Sequence, residues 1–382
     1  MDSADTLALL RLLDAGGRSE PRRRLLRGHD GAGAALDAGR PAWRAAGLDA
    51  AQQAALATRV EPPAVARWRR WLEESPGRRV IGLHEPDYPS LLRRLGSAPL
   101  ALWVEGDADL LWHPAIAVVG SRAASAGGLR NAFEFSRAFA AAGMAVTSGL
   151  AAGIDAAAHE GALAVAGGRT VAVLGTAIDR PWPPGNAALC RRIAASGAVA
   201  SELPPGAACS RGTFPSRNRI VMGLSLGVVV VEAALRSGAA ITARLAAEAG
   251  REVFALPGSI HNPKARGCHR LIRDGATLVD SPADVLEALA PVALGLGEDL
   301  RGRLAAPIEA AGSTAAAAGP TGPPEGSHPQ RLWQALGHDP TGMDELVART
   351  GLTAAELASM LLLMELEGRV SVEHGRYSRK SQ

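Results

Sequence analysis

A short segment near the middle of the chain combines an aromatic ring with several guanidinium groups. It reads Gly-Thr-Phe-Pro-Ser-Arg-Asn-Arg over residues 212–219, and Arg211 precedes it. Proline at the first position of a helix fixes the entry of the chain, so Pro215 is expected to hold Phe214 outside a helix predicted over 216–224. Guanidinium groups bind phosphate as planar donors, and an exposed ring stacks on unpaired bases. The segment therefore indicates a site for single-stranded nucleic acid, unless Phe214 packs beneath its own loop.

The two arginines inside this predicted helix cannot both have the same role. Arg217 and Arg219 are two positions apart, and side chains at that spacing face different ways on a helix. We expect one of them to contact nucleic acid and the other to pair with an acid such as Glu232. The sequence leaves open which arginine does which.

The composition narrows the class of protein. The 382 residues carry 41 lysines and arginines against 38 acidic residues, and this net charge of only +3 does not indicate a general polyanion-binding surface. The three cysteines lie far apart without a Cys-x-x-Cys pair, so neither a disulfide framework nor a zinc site is indicated. The N-terminus lacks the basic stretch of a secretory signal, and no apolar run reaches the ~18 residues of a membrane helix. We therefore expect a cytoplasmic protein with no membrane partner.

Four regions differ in their patterning. Residues 1–75 resemble a small helical domain of the SAM or helix-hairpin-helix kind. Residues 80–290 alternate apolar runs with helical stretches. The segment 291–328 is predicted as a linker, since Ala, Gly and Pro dominate its later part. Residues 329–382 predict a winged helix-turn-helix with helices at 329–336, 343–350 and 354–367, followed by a hairpin of 370–373 and 376–378.

The central region predicts a doubly wound α/β domain. Continuous Val, Ile, Leu and Ala runs spaced by helices are typical of a mainly parallel sheet covered on both faces. The predicted strands are 116–119, 145–147, 171–174, 198–201, 228–231 and 253–256. In such sheets the ligand lies beyond the carboxyl ends of the strands. Gly120-Ser121-Arg122 and Ser148-Gly149 stand at two of these ends, where exposed backbone N–H groups attract anions.

A nicotinamide dinucleotide is the obvious ligand for this fold, and two absences argue against it. Gly120 is followed by Ser-Arg-Ala-Ala-Ser, so the Gly-x-Gly-x-x-Gly pattern is missing. The second strand ends without the acidic residue that holds the ribose. We therefore expect no cofactor.

Six motifs occur in an order that identifies a family by resemblance. They are Val119–Arg122, Ser148–Asp155 with His159, Phe214–Arg219, Val231–Ala233 with Ser237-Gly238, Thr242-Ala243 and Leu256–Gly258. This series strongly resembles the DNA-processing protein A family, known as DprA or Smf. The resemblance implies an extended Rossmann fold that binds single-stranded DNA in natural transformation. It also implies a homodimer that loads the recombinase RecA, and it adds the single-stranded DNA-binding protein SSB as a further partner.

The same resemblance assigns roles to residues. Arg122 is the expected principal phosphate contact and Phe214 the base-stacking residue. The remaining residues of the expected DNA site are Gly120, Ser121, Ser148, Gly149, Arg211, Pro215, Arg217, Asn218, Arg219, Ser237 and Gly238. His269 and Leu278 are expected at the dimer interface, and no catalytic residue or metal ligand is implied. One departure is Pro181-Trp182-Pro183, where many members have Tyr-Pro.

Two alternatives compete with this hypothesis. The fold also resembles the Lonely Guy phosphoribohydrolases, but Leu245 stands where their glutamate would follow Thr242, so the acid/base group is missing. The winged helix is the other candidate DNA reader. Its recognition element, 353–367, carries three glutamates and no Lys or Arg, so we expect protein docking or autoinhibition instead.

Three smaller features have structural interpretations. Asp155 and His159 could form a catalytic pair, although we expect them to brace a helix start. Trp68 and Trp71 share one helical face and are expected in the core. The run 22–24 of three arginines is expected on a solvated face.

Overall fold

The computed structural model describes residues 3–305 except Arg59 and Arg211, together with part of residues 332–379. It divides into two compact units, residues 1–306 and residues 307–382.

The first unit is built on a nine-stranded sheet. Its strands are β1 Arg78–Gly82, β2 Ala101–Gly106, β3 Ala115–Val119, β4 Ala145–Ser148, β5 Thr170–Leu174, β6 Ala198–Ser201, β7 Gly227–Val230, β8 Glu252–Ala255 and β9 Thr277–Leu278. The spatial order is β1-β2-β6-β5-β4-β3-β7-β8-β9. Strands β3 to β9 pair in parallel, whereas β1 and β2 are antiparallel additions at one edge. The predicted doubly wound, mainly parallel sheet is confirmed.

The winding of the sheet reverses beside β3. From β3 the chain passes to β4, β5 and β6 in one direction, and then returns to β7 on the other side of β3. The loops that follow β3 and β7 therefore leave the sheet in opposite directions and open a crevice between them.

Helices cover both faces of this sheet. They are α1 Ser3–Asp14, α2 Ser19–Arg27, α3 Ala32–Asp37, α4 Gly39–Ala45, α5 Ala50–Ala57, α6 Pro63–Glu73, α7 Ser90–Arg93, α8 Ala126–Ala141, α9 Ile154–Leu163, α10 Ala187–Ser196, α11 Thr213–Gly223, α12 Gly238–Glu248, α13 Arg266–Arg273 and α14 Pro282–Ala305. Alternate residues of β3 show the layering. Ala117 and Val119 share a buried cluster with α11 and α12, while Ile116 and Val118 pack with α8 and α9.

The amino-terminal helices share their core with the sheet. Trp68 and Trp71 of α6 are buried, and their rings lie edge-on to Trp103 of β2 with centroids 5.7 and 5.8 Å apart. This confirms the core position expected for both tryptophans. Residues 1–75 therefore pack as part of the larger unit.

The arginine run of α2 contradicts its expected solvated position. Arg22 and Arg23 are buried, and only Arg24 is exposed. Arg22 donates from Nη1 to the carbonyls of Leu12 and Leu13, both at 3.0 Å. The last carbonyls of a helix have no partner within it, so this guanidinium caps α1.

The carboxyl-terminal boundary also differs from the prediction. Helix α14 continues to Ala305, so the segment expected to be a linker from residue 291 begins as helix. In the second unit, α15 Met343–Thr350 matches a predicted helix, and β10 Thr341–Gly342 adds to the predicted hairpin of β11 Val370–Glu373 and β12 Arg376–Arg379. The other two predicted helices, 329–336 and 354–367, lie largely outside the described residues. Across the residues that are described, no helix has both the length and the apolar content needed to cross a membrane.

Candidate nucleic-acid interface

An open cleft of about 1610 Å³ lies at the reversal of the sheet. It begins at the loop after β3 and continues past the first turn of α11 and along α12 toward α13. Ten residues of the expected DNA site line it: Gly120, Ser121, Arg122, Gly149, Phe214, Pro215, Arg217, Asn218, Ser237 and Gly238. The structure therefore brings most of the expected residues to one place.

Arg122 presents an available guanidinium to this cleft. The side chain is exposed, and among the described residues no carboxylate forms an ion pair with it. Its Cζ lies 5.9 Å from the centroid of the Phe214 ring. This distance is within the range of a cation–π contact. A cation and an aromatic ring thus share one wall of the cleft.

Phe214 is half-buried, and its position corrects the predicted start of the helix. Helix α11 begins at Thr213, so Phe214 lies in the first turn and not outside it. Pro215 is accommodated at the third position because the first N–H groups of a helix have no intrahelical partner. One side of the ring packs over Gly175, where an added Cβ would come within 2.9 Å of Cδ1. The rest of the ring faces the cleft.

Arg217 is an internal residue, which contradicts its expected DNA contact. It is 7% exposed, and its Nη1 donates to the carbonyl of Val173 at 2.7 Å. The guanidinium fills the space where a side chain at Gly149 would lie, which explains the glycine. Burial lowers the pKa of Arg217, while the charge of Asp155 opposes that change. Its guanidinium therefore packs between the end of β5 and Gly149 of the loop after β4.

Asp155 completes this internal arrangement. One carboxylate oxygen, Oδ2, accepts from the backbone N–H groups of Gly149 and Ala151 at 3.2 and 3.3 Å. Burial raises the pKa of Asp155, and the charge of Arg217 opposes the rise. The carboxylate braces the loop that enters α9, as expected for a helix start.

Arg219 also has an internal partner. Its Nη2 donates to both oxygens of Glu202, at 2.7 and 2.8 Å. The expectation that one of the two arginines pairs with an acid is therefore confirmed for Arg219, and the acid is Glu202 in place of Glu232. Glu202 follows β6, and the sequence does not show that this strand end lies beside α11.

Glu232 instead joins three loops of the cleft. Its carboxylate accepts from Ser125 N at 2.9 Å and Ser125 Oγ at 2.5 Å, and from Asn262 Nδ2 at 3.2 Å. Ser125 in turn caps α8 by accepting from Gly128 N at 3.0 Å. Because Ser125 ends the loop that carries Arg122, Glu232 fixes that loop against the ends of β7 and β8. The only sign of this structural role in the sequence was the position of Glu232, an isolated acidic residue directly after a buried strand.

We expect Glu232→Gln to destabilise the protein by about 1–3 kcal/mol, because an amide nitrogen cannot accept the hydrogen bonds that the carboxylate accepts. Urea unfolding followed by circular dichroism measures the change. Glu134→Gln is the control, since Glu134 forms only an exposed pair with Arg137. An unchanged free energy of unfolding for Glu232→Gln would contradict the role of this carboxylate.

The remaining expected residues divide into two groups. Ser148 is fully buried and donates from Oγ to Val118 O at 2.6 Å, so its hydroxyl is not available as a donor to DNA. Ser237 caps α12 by accepting from Ala240 N at 3.3 Å, and Asn218 Nδ2 donates to Gly238 O at 3.2 Å. Both shape the cleft wall. Arg211 lies outside the described residues.

Arg236 is a cleft residue that the sequence prediction missed. It is exposed just before α12, and within the described chain no carboxylate forms an ion pair with it. Other arginines along the cleft already have partners. For example, Arg270 Nε forms an ion pair with Asp274 Oδ2 at 2.8 Å. Arg236 therefore adds a second available cation to the cleft. Its position directly before the Ser237-Gly238 motif was the available signal.

His159 does not form a catalytic pair with Asp155. The imidazole is fully buried, and its Nδ1 is 2.7 Å from Thr170 Oγ1. Burial lowers the pKa of His159 to about 3, so the ring is neutral. The two side chains therefore serve separate structural contacts.

The two expected dimer residues lie on neighbouring elements of the chain, Leu278 in β9 and His269 in α13. Leu278 is in edge strand β9 and is 49% exposed. The Nε2 atom of His269 is 2.9 Å from the carbonyl oxygen of Gly258, which follows β8. An exposed leucine on an unpaired strand edge is compatible with self-association.

A family model described as DNA recombination-mediator protein A matches residues 79–290, more than half of the chain. The chain belongs to this family, DprA. A second model, the DprA winged helix domain, matches residues 315–376. The resemblance drawn from the six motifs is confirmed. The description of this model makes DprA a family of recombination mediators.

Relatives and solved structures agree with this assignment. Protein Smf of Synechocystis is 38% identical over 314 residues, covering 78% of this chain and 79% of its own. The X-ray structure of DprA from Streptococcus pneumoniae matches with a TM-score of 0.64 at 34% identity, covering 72% of this chain and 95% of that one. DprA from Helicobacter pylori matches with a TM-score of 0.50 at 28% identity, covering 53% and 93%, and that structure was described for its single-stranded DNA binding mode.

Proposed function

We propose that this DprA chain binds single-stranded DNA in the cleft between the ends of β3 and β7 and loads RecA onto it during natural transformation. The observation that carries the proposal is the exposed Arg122 guanidinium 5.9 Å from the half-buried ring of Phe214. The guanidinium can bind a phosphate of the DNA backbone, and the exposed part of the ring can stack on an unpaired base.

The geometry favours a single strand over a duplex. A ring can stack on a base only when that base is free of its duplex neighbours. The cleft offers one such ring together with two available arginines, Arg122 and Arg236. The single-stranded DNA binding mode described for the Helicobacter pylori relative supports the same ligand class.

The residues of the cleft give little support to the alternative function, a nucleotide-processing enzyme. Thr242, the threonine of the phosphoribohydrolase comparison, is buried and donates to Gly238 O at 3.2 Å. The position three residues later is Leu245, so no carboxylate stands there for proton transfer. The nucleotide-processing alternative therefore stays second.

The partners follow from the family resemblance and from the sheet edge. We infer a homodimer formed along β9, with Leu278 in its interface and His269 beside it. RecA and SSB are the protein partners that the resemblance implies. This cytoplasmic assembly would hold a strand in the cleft of each protomer while RecA is loaded.

Fluorescence anisotropy with labelled oligonucleotides tests the ligand. We expect the full chain to bind a single strand of ~20 nucleotides at least tenfold more tightly than the matching duplex, because only the single strand offers unpaired bases. Raising the salt concentration should weaken both complexes, since phosphate contacts release counterions. Equal affinity for the two forms at both salt concentrations would contradict the proposal.

A further inference from the structure

The segment after β5 exposes a second large aromatic side chain at the same end of the sheet. Trp182 is 55% exposed. Of the tryptophans within the described residues, the others are buried or half-buried. Trp182 follows Gly175 by seven residues, and Gly175 is the residue over which the Phe214 ring packs. The Phe214 ring of α11 therefore packs beside the end of β5, and the segment that follows this strand carries Trp182.

Three hydrogen bonds fix this segment to neighbouring loops. Ile178 N donates to Leu203 O at 3.2 Å, and the Asp179 carboxylate accepts from Gly206 N at 2.9 Å. Asn186 Nδ2 donates to Leu150 O at 2.9 Å. Leu203 and Gly206 follow β6, whereas Leu150 follows β4, so the segment is attached on both sides at the carboxyl ends of the strands. Trp182 is therefore presented at the same rim as the cleft.

The backbone on either side of the ring is restricted as well. Proline occupies positions 181, 183 and 184, and each proline ring locks its own φ angle. A ring held on a stiff, anchored segment loses little conformational entropy when it stacks on a ligand. This favours a binding role over an incidental exposed side chain.

A guanidinium accompanies this ring, as Arg122 accompanies Phe214. Arg180 is exposed, and within the described part of the chain no carboxylate forms an ion pair with it. The nearest acid along the chain, Asp179, already accepts from Gly206 N. The pair Arg180 and Trp182 thus offers one phosphate contact and one stacking face.

We propose that Trp182 is a second base-stacking platform and that Arg180 holds the adjoining phosphate, so that the DNA strand continues from the cleft across the end of β5. Seven residues span at most ~24 Å, which places both rings within reach of one short strand. The inference rests on the proposed function, since it assigns a further contact to the same ligand.

Intrinsic tryptophan fluorescence tests the platform directly. Stacking of a base on the Trp182 ring should quench its emission, so we expect dT oligonucleotides of ~20 nucleotides to quench the wild-type protein and to lose most of that quenching with Trp182→Phe. Because phenylalanine still stacks, Trp182→Phe should keep nearly wild-type affinity. Trp182→Ala should bind about fivefold more weakly with an unchanged salt dependence.

Two further variants separate the possible outcomes. Arg180→Ala should reduce the salt dependence by about one phosphate contact, and Leu294→Ala, which removes another exposed apolar side chain from α14, should behave as wild type. Equal quenching of wild type and Trp182→Phe, or wild-type affinity for Trp182→Ala, would overturn the platform while leaving the proposed function intact. Failure of the wild-type protein to bind the oligonucleotide would overturn both.

Discussion

Replacing Arg122 with alanine is expected to lower the affinity for single-stranded DNA about tenfold. The guanidinium is exposed in the cleft and, among the described residues, is not engaged by a carboxylate, so it is available to donate charge-assisted hydrogen bonds to phosphate. Losing one such contact should also lower the slope of log affinity against log salt by about 0.7, the share of one phosphate on a single strand. Anisotropy titrations at several salt concentrations measure both quantities. The loss should be similar for every base sequence, because phosphate contacts carry no sequence information.

The control for this variant is Arg137→Ala. Arg137 is an exposed arginine of α8 that pairs with Glu134 at 2.7 Å and lies outside the cleft lining. Its removal changes the net charge by the same amount, so it reports the effect of overall charge alone. If Arg122→Ala and Arg137→Ala weakened binding equally, Arg122 would not be a phosphate contact.

Replacing Phe214 with alanine is expected to weaken binding by about 1–3 kcal/mol, or roughly 5- to 150-fold, through the loss of one stacked base. The salt dependence should stay as in the wild type, because no charge is removed. Phe214→Trp should restore binding, since its ring also stacks. The same anisotropy titrations distinguish this pattern from that of Arg122→Ala.

A structural effect of the Phe214 substitution has to be separated from the loss of stacking. The ring packs over Gly175 in the first turn of α11, so thermal unfolding of each variant is compared alongside binding. Wild-type affinity of a folded Phe214→Ala protein would show that the ring does not contact DNA. Arg122 and Phe214 are neighbours, so the double variant should show losses that are not additive.

The central sheet could be predicted from the sequence because its strands are buried on both faces. The six predicted strands correspond to β3 to β8, and each of them carries a run of buried apolar residues. The three missed strands are β1 and β9 at the two edges of the sheet and the antiparallel β2 beside β1. Strand β1 begins with two arginines, and β9 has only two residues, so neither shows the continuous apolar run that marks a central strand.

The grouping of residues that line the cleft was largely predictable, but the partners of its charged residues were not. The glycine at the end of β3 indicated Arg122, and the segment 212–219 with its aromatic ring and arginines indicated Phe214. The partner of Arg219 is Glu202, which precedes it by 17 residues, and only the packing of α11 beside the end of β6 brings the two together. The burial of Arg217 depends in the same way on the space above Gly149. Long-range packing decided these roles.

The most direct test of the account is to map where a bound strand touches the protein. Single-stranded DNA carrying a photoreactive base analogue is crosslinked to the full chain, and the modified peptides are identified by mass spectrometry. Crosslinks in the peptide that contains Phe214 are the predicted result, and they should disappear when excess unlabelled single strand competes. Crosslinks confined to the winged-helix unit, with none around Phe214, would contradict the proposal that the cleft binds the DNA.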